Sequence, residues 1–139
     1  MKIDSIKNGI VIDHIGGGKA MQLYAMLGLD RLDCCVAVIQ NVSSKKMGRK
    51  DIIKIDSSID IDLDVIGYVS PNATINIIEN GELVRKEYIG LPSRLVNIIR
   101  CRNPRCITTT EQELRQVFRV VSPENRICRC VYCDTKKRY

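Results

Sequence analysis

The segments CRNPRC (residues 101–106) and CVYC (residues 130–133) decide the fold of the last third of this 139-residue chain. Two close cysteine pairs separated by a loop can converge tetrahedrally on one zinc ion. Because all four positions would be thiolates, no position is left for a water molecule. We therefore predict one structural, non-catalytic zinc ion per chain, held by Cys101, Cys106, Cys130 and Cys133.

The composition around these cysteines supports a metal. The last third has few large apolar side chains, too few for an independent core. A structural zinc contributes on the order of 10–16 kcal/mol in peptide-sized domains at neutral pH. Cys128 lies two residues before Cys130, on the same face if this stretch is a strand, and could compete as a ligand. The alternative is a set of reduced, buried cysteines without metal, which the paired spacing disfavours.

Charge divides the chain into two modules. The net charge of +6 lies entirely in residues 95–139, whereas residues 1–94 are balanced. Most of the seven cysteines follow the same division. We therefore predict two domains, residues 1–92 and 93–139, joined near the Gly-Leu-Pro-Ser segment at 90–93.

Composition also bears on location. The longest uncharged stretch, residues 65–78, is shorter than the ~20 apolar residues of a membrane-spanning helix. The first residues lack the apolar run of a secretory signal, and reduced cysteines suit a cytoplasmic protein. We expect a cytoplasmic chain with no membrane partner.

The first module alternates strands and helices. Residues 34–39 are continuously apolar, which predicts a strand buried on both faces. Residues 59–64 alternate like a strand, yet Ile61, Val65 and Tyr68 also fit a helix, and periodicity leaves the choice open. Further strands are predicted at 10–15, 49–56, 73–78 and 82–88, a helix at 20–27, and an Asn-Gly hairpin turn at 80–81. If residues 60–69 are helical, the order is the split β-α-β of ferredoxin-like folds plus one hairpin strand.

No catalytic constellation is evident. His14 is the only histidine, and no serine lies in a Gly-x-Ser-x-Gly motif. The Gly-Gly-Gly-Lys segment at 16–19 fails the phosphate-loop pattern, because Asp13 and Ala20 occupy positions that require glycine and Ser or Thr. We read it as a strand-to-helix turn and expect a chain that is not an enzyme.

Several motifs occur together in order: VIDHI at 11–15, MGRKDIIKI at 47–55, PNATIN at 71–76, LP at 91–92 and the cysteine quartet. Together they closely resemble the regulatory chain of aspartate carbamoyltransferase. The resemblance implies an α+β fold, with a ferredoxin-like split β-α-β allosteric domain followed by a small β-rich, zinc-ribbon-like domain that docks on the catalytic chain. It also implies that residues 60–69 are helical.

The resemblance further implies a regulatory function in pyrimidine biosynthesis, through binding of CTP, ATP and, in some members, UTP. It places Lys86 and His14 at the triphosphate, Asp13 at a ribose hydroxyl, and Lys54 at ribose and base. The other implied nucleotide-binding residues are Lys50 near the pocket, Lys7 near phosphate, Ile6 at the base edge, and an apolar wall of Ile3, Val11, Ile78 and Leu83. The implied partners are catalytic chains and a second regulatory chain.

The sequence alone leaves two alternatives open. The arginine-rich last third would suit a zinc-ribbon nucleic-acid-binding protein, although few aromatic side chains are present to stack on bases. A free-standing small-molecule sensor would differ from a regulatory chain only in lacking a catalytic partner.

Overall fold

The computed structural model describes residues 6–139, and this part of the chain forms two compact units that divide after Gly90. The first unit contains β1 (Gly9–Gly16), α1 (Ala20–Met26), β2 (Val36–Ser44), β3 (Gly48–Ile55), α2 (Leu63–Val69), β4 (Thr74–Glu79) and β5 (Glu82–Tyr88). The second contains β6 (Arg94–Val96), α3 (Ile107–Thr110), β7 (Val117–Ser122), β8 (Ile127–Cys130) and β9 (Lys136–Arg138). None of the described helices has the length and apolarity to cross a membrane.

The first unit is a five-stranded antiparallel sheet in the order β2-β3-β1-β4-β5. Helix α1 connects β1 to β2, and α2 connects β3 to β4. This is the predicted split β-α-β arrangement, extended at one edge by β5. The α+β, ferredoxin-like fold class is therefore confirmed.

The two faces of this sheet differ because side chains alternate along each strand. The isoleucines of one face are buried, at positions 10, 12, 53, 55 and 75. Helix α1 packs against β2, β3 and α2 and contributes Leu23 to the same core. The alternate residues of the central strands lie on the opposite face, where the polar and charged side chains gather.

Strand β2 corrects one prediction. Residues 34–39 were expected to form a strand buried on both faces, but β2 begins at Val36 and lies at an edge of the sheet. Cys35 is exposed, and the apolar residues 36–39 are only half-buried. An uninterrupted apolar run indicates that a strand is covered, but it does not identify the part of a protein that covers it.

Asp51 accepts hydrogen bonds from the backbone of separate connections in the first unit. It lies on the buried face of β3 and is fully buried. Its carboxylate accepts the backbone N–H groups of Gly18 (2.9 Å), Ala20 (3.0 Å) and Asn41 (2.9 Å). The glycine segment is thus the turn that leads into α1, and its geometry is fixed from the neighbouring strand.

A helix cap decides between strand and helix for the ambiguous segment around residue 60. The Asp62 side chain accepts the N–H groups of Asp64 and Val65, so α2 begins at Leu63. The alternating residues before it form no strand. The hairpin turn is as predicted, since Asn80 and Gly81 have φ values of 53° and 79°, the left-handed pair that a two-residue hairpin requires.

The second unit is a four-stranded antiparallel sheet in the order β6-β7-β8-β9. Its buried side chains include Leu95, Val117 and Phe118 together with cysteines. The short helix α3 begins directly after Cys106, which is its N-cap residue.

Candidate functional site

Four cysteine sulfurs of the second unit converge on one point. The Sγ atoms of Cys101, Cys106, Cys130 and Cys133 all lie within 4.8 Å of one another. Cys101 and Cys133 sulfurs are 3.6 Å apart, and those of Cys106 and Cys130 are 3.7 Å apart. A Zn–S bond of about 2.3 Å places two sulfurs of a tetrahedral site about 3.8 Å apart. The observed spacing therefore fits one tetrahedral zinc ion held by four thiolates.

Local structure positions each thiol. Cys101 donates its backbone N–H to Gln116 Oε1 (2.9 Å), which anchors the first cysteine loop. Cys106 is fixed by the start of α3, and its sulfur lies 3.1 Å from Thr108 Oγ1. Cys130 ends β8, and the N–H of Asp134 returns to its carbonyl (2.8 Å) to close the turn that carries Cys133. Two loops separated in sequence are thereby held face to face.

The thiols differ in how readily they ionise. Burial raises the pKa of Cys101 to about 12, and burial also raises the pKa of Cys130. Burial acts in the same direction on Cys133, but hydrogen bonds with Thr135, and then with Cys101 and Cys106, outweigh it and lower its pKa to about 6. Zinc requires deprotonated ligands, so metal binding must stabilise thiolates at the buried positions.

Cys128 stands apart from this cluster. Its side chain is fully buried in β8, and its sulfur donates to the Lys137 carbonyl at 3.5 Å. In the described part of the chain, the group of cysteines close enough to share a metal does not include it. The possible competition between Cys128 and Cys130 therefore has no geometric support.

Apolar side chains are exposed beside the metal ligands. Ile107 follows Cys106 and is 51% exposed, and Val131 and Tyr132 occupy the turn between Cys130 and Cys133 with 42% and 43% exposed. Each of these side chains adjoins a metal ligand in the chain, and large exposed apolar patches typically mark interaction sites.

The second candidate site is the face of the first unit's sheet opposite the buried isoleucines. Lys54, Val11, Asn76 and Lys86 are successive partners across β3, β1, β4 and β5. Neighbouring strands are about 4.8 Å apart, so three steps across the sheet separate the backbones of Lys54 and Lys86 by about 14 Å. Spacing along the sequence could not reveal this row, because it depends on the pairing of distant strands.

Asp13 and His14 lie one row further along, at an irregularity in β1 between Ile12 and Ile15. His14 has a φ of 57°, and its Nδ1 lies 3.2 Å from Oγ1 of Thr74, the β4 partner of Asp13. The bulge thus brings two consecutive side chains, which would otherwise alternate, to the same face.

Lys50 has a partner of its own on this face. Its Nζ lies 2.9 Å from Asp13 Oδ1, which also accepts the His14 N–H at 2.6 Å. Partial burial raises the pKa of Asp13, but the bond and charge of Lys50 and the His14 N–H outweigh it and hold the pKa below its usual 3.8. Asp13 is therefore a carboxylate whose orientation is already fixed.

The remaining predicted residues gather at the hairpin. The N–H of Gly81 donates to the Lys7 carbonyl (2.8 Å), and that of Asn80 to Asn8 Oδ1 (3.1 Å). These bonds hold the segment of Ile6 and Lys7 against the turn between β4 and β5. Ile78 and Leu83 face each other across the same hairpin. Ile3 lies outside the described residues.

Three residues on this face were not singled out from the sequence: Asn76, Thr74 and Tyr88. Asn76 lies between Val11 and Lys86, and Thr74 between Asp13 and Tyr88. Their only signal in the sequence is the alternation along β4 and β5, which assigns a face but no role.

Fold and site together define a two-unit chain with a polar sheet face in one unit and a cysteine-ligated metal site in the other. Residues 1–90 match the family model described as aspartate carbamoyltransferase regulatory chain, allosteric domain. Residues 93–139 match the model for the metal binding domain of the same chain. The chain belongs to the family of aspartate carbamoyltransferase regulatory chains. Both matched domains are regulatory rather than catalytic, as expected for a chain that is not an enzyme.

Relatives span nearly the whole chain. The chain is 46% identical over 134 residues to the aspartate carbamoyltransferase regulatory chain of Clostridium botulinum (strain Hall), covering 96% of this chain and 92% of that one. It is 42% identical over 138 residues to that of Bifidobacterium longum, covering 99% of each. It is 45% identical over 135 residues to that of Clostridium tetani, covering 96% and 94%.

Proposed function

We propose that the sheet face of the first unit binds nucleoside triphosphates, namely CTP and ATP, and UTP as in some members of the family, as allosteric effectors of aspartate carbamoyltransferase. The row from Lys54 through Val11 and Asn76 to Lys86 carries the proposal. It presents cations at both ends and smaller groups between them, which suits an elongated ligand with an anionic end. Belonging to a family whose first domain is allosteric supports the same use of this unit.

Different residues contact the triphosphate, the ribose and the base of the nucleotide. Lys86 and His14 meet the triphosphate, Asp13 accepts from a ribose hydroxyl, and Lys54 reaches ribose and base. Charge-assisted bonds to phosphate are the strongest of these contacts. The proposed site is completed by Lys50 beside Asp13, Lys7 near phosphate, backbone groups of Ile6, and the apolar side chains of Ile3, Val11, Ile78 and Leu83.

Calorimetric titration of CTP and ATP into the zinc-loaded chain tests the site. Lys86→Gln should weaken CTP binding by about one to two orders of magnitude, since a hydrogen bond to a charged group contributes about 1.5–3 kcal/mol. Arg85→Gln is the matched control, because it removes the same charge from the opposite face of β5. Equal effects of the two variants would show that only net charge matters and would refute a site on this face.

We also propose that the second unit docks on the catalytic chain through the exposed apolar residues around the metal. Ile107, Val131 and Tyr132 are rigidly placed because their neighbours are metal ligands. Removal of zinc should therefore abolish docking, and Tyr132→Asp should weaken it while leaving the zinc content unchanged. Aspartate saturation curves of the catalytic trimer, alone, with this chain, and with chain plus CTP, measure both docking and its allosteric consequence. Curves that do not change on adding the chain would refute the docking proposal.

A third proposal concerns the pairing of two regulatory chains. Edge strand β2 carries an apolar run at 36–39 that its own sheet covers only partly. A second copy of the chain placed along this edge would complete the burial. Val38→Lys should then convert a dimer into a monomer in light-scattering measurements, and an unchanged mass would refute this edge as the interface.

The remaining proposals concern boundaries and location. We place the domain boundary between Pro92 and Ser93, close to the end of the first compact unit at Gly90 and to the start of the second family match. The described cysteines form no disulfides, which suits a reducing compartment and supports the cytoplasm as the location of the assembly.

A further inference from the structure

We propose that Tyr88 is a positioning residue that holds the Lys86 ammonium ready for the phosphates of a bound nucleotide. This inference rests on the proposed nucleotide site and adds to it a residue outside the predicted set. Lys86 Nζ lies 5.6 Å from the centroid of the Tyr88 ring, within the range of a cation–π contact.

The geometry of β5 explains why these two side chains meet. Lys86 and Tyr88 are two residues apart on one strand and therefore share a face. Arg85 and Glu87 share the other face, where they form an ion pair with each other. The strand thus keeps its carboxylate away from Lys86, and in the described part of the chain no acidic group forms an ion pair with it.

An aromatic ring and a carboxylate would have different consequences for an anion site. A carboxylate orders a lysine but cancels its charge, as Asp13 does for Lys50 at 2.9 Å. A ring restricts the ammonium through its quadrupole and leaves the full positive charge available. Lys86 is therefore oriented and still able to attract phosphate, although it lies on an exposed edge strand.

The position of Tyr88 relative to the other groups is consistent with this role. Its β4 partner is Thr74, whose hydroxyl contacts His14. The ring therefore lies at the end of the sheet face where the phosphates are proposed to bind. It is 74% exposed, so packing in the core does not account for its placement.

The experiment compares Tyr88→Phe and Tyr88→Leu in the full, zinc-loaded chain by calorimetric titration with CTP and CMP. Phenylalanine keeps the ring face and should bind CTP like the wild type. Leucine removes it and should weaken CTP binding about two- to fivefold, with a smaller effect on CMP, which lacks the outer phosphates. In a Lys86→Gln background, Tyr88→Leu should have no further effect.

Other outcomes overturn the inference in distinguishable ways. If Tyr88→Leu weakens CTP and CMP equally, or still weakens CTP without Lys86, the ring contacts the nucleotide directly. If Tyr88→Leu changes nothing or tightens CTP binding, the ring does not prepare Lys86 for phosphate. If the wild-type chain itself does not bind CTP, the proposed nucleotide site fails, and the role of Tyr88 fails with it.

NMR of the Lys86 side chain checks the contact without nucleotide. The ring-current shift of Lys86 should persist in Tyr88→Phe and vanish in Tyr88→Leu. A shift that leucine leaves unchanged would refute the contact.

Discussion

Truncation of Asp51 is expected to destabilise the first unit strongly. Asp51→Ala removes a fully buried carboxylate that accepts three backbone N–H groups, at 2.9, 3.0 and 2.9 Å. Two of these amides, from Gly18 and Ala20, lie where the chain enters α1. The third, from Asn41, lies at the irregularity of β2. One side chain therefore fixes the geometry of two connections.

The exposure of the three donor residues sets how much folding free energy Asp51→Ala is expected to lose. A hydrogen bond to a charged group contributes about 1.5–3 kcal/mol. Gly18 and Asn41 are exposed, so their amides can turn to water after the truncation. Ala20 is buried, and its amide would keep the penalty of an unsatisfied donor, about 1–3 kcal/mol. Because the variant also regains the cost of burying a carboxylate, we expect a net loss of about 3–5 kcal/mol.

Urea unfolding of the zinc-loaded chain, followed by circular dichroism and by peptide-resolved hydrogen exchange over β3, measures this loss. Asp56→Ala is the matched control, because Asp56 directly follows β3 and is exposed. Zinc content should be unchanged in both variants, since the metal lies in the other unit. If Asp51→Ala destabilises the first unit no more than Asp56→Ala, the three hydrogen bonds do not carry the stability assigned to them.

Two further predictions concern the metal and the pH dependence. Cys133→Ser should lower the bound zinc measured by metal analysis and unfold the second unit. Cys128→Ser is the control and should keep one zinc per chain. Equal zinc loss in the two variants would contradict the ligand assignment. The folded-state pKa of Asp13 is depressed, so its contribution to stability is present above its usual pKa and is lost as pH falls through the folded value. Lys50→Gln should therefore reduce stability at pH 7 and approach the wild type as the pH falls below 3.8 and through the folded pKa of Asp13; a difference independent of pH would contradict the ion pair.

The sequence predicts best those features that depend on near neighbours. The Asn-Gly turn at 80–81 requires left-handed backbone at two successive residues, and few other pairs allow it. The cysteine pairs have the spacing of metal-binding loops, and the sulfurs lie together as expected. In both cases the chemistry that decides the structure lies within a few residues of chain.

Features that depend on strand pairing could not be derived in this way. The row from Lys54 to Lys86 needs the registers of three strand pairs, and each register is set by contacts between distant segments. The position of β2 at the sheet edge was missed because its apolar run is equally compatible with a central strand. For Asp51 the sequence contains one signal, a carboxylate in phase with buried Ile53 and Ile55 on the same strand.

The buried side chains of the two units explain why the second unit needs a metal. The first unit encloses isoleucines from three strands together with Leu23 and Ile66 from the helices. In the described second unit the buried hydrocarbon side chains are Leu95, Val117 and Phe118, and cysteines occupy the other buried apolar positions. Burial of each large apolar side chain contributes only about 1.5–3 kcal/mol, whereas a structural zinc contributes on the order of 10–16 kcal/mol. The zinc cluster therefore takes the place of a hydrocarbon core, and Ile107, Val131 and Tyr132, which adjoin the ligands in the chain, remain exposed at the surface.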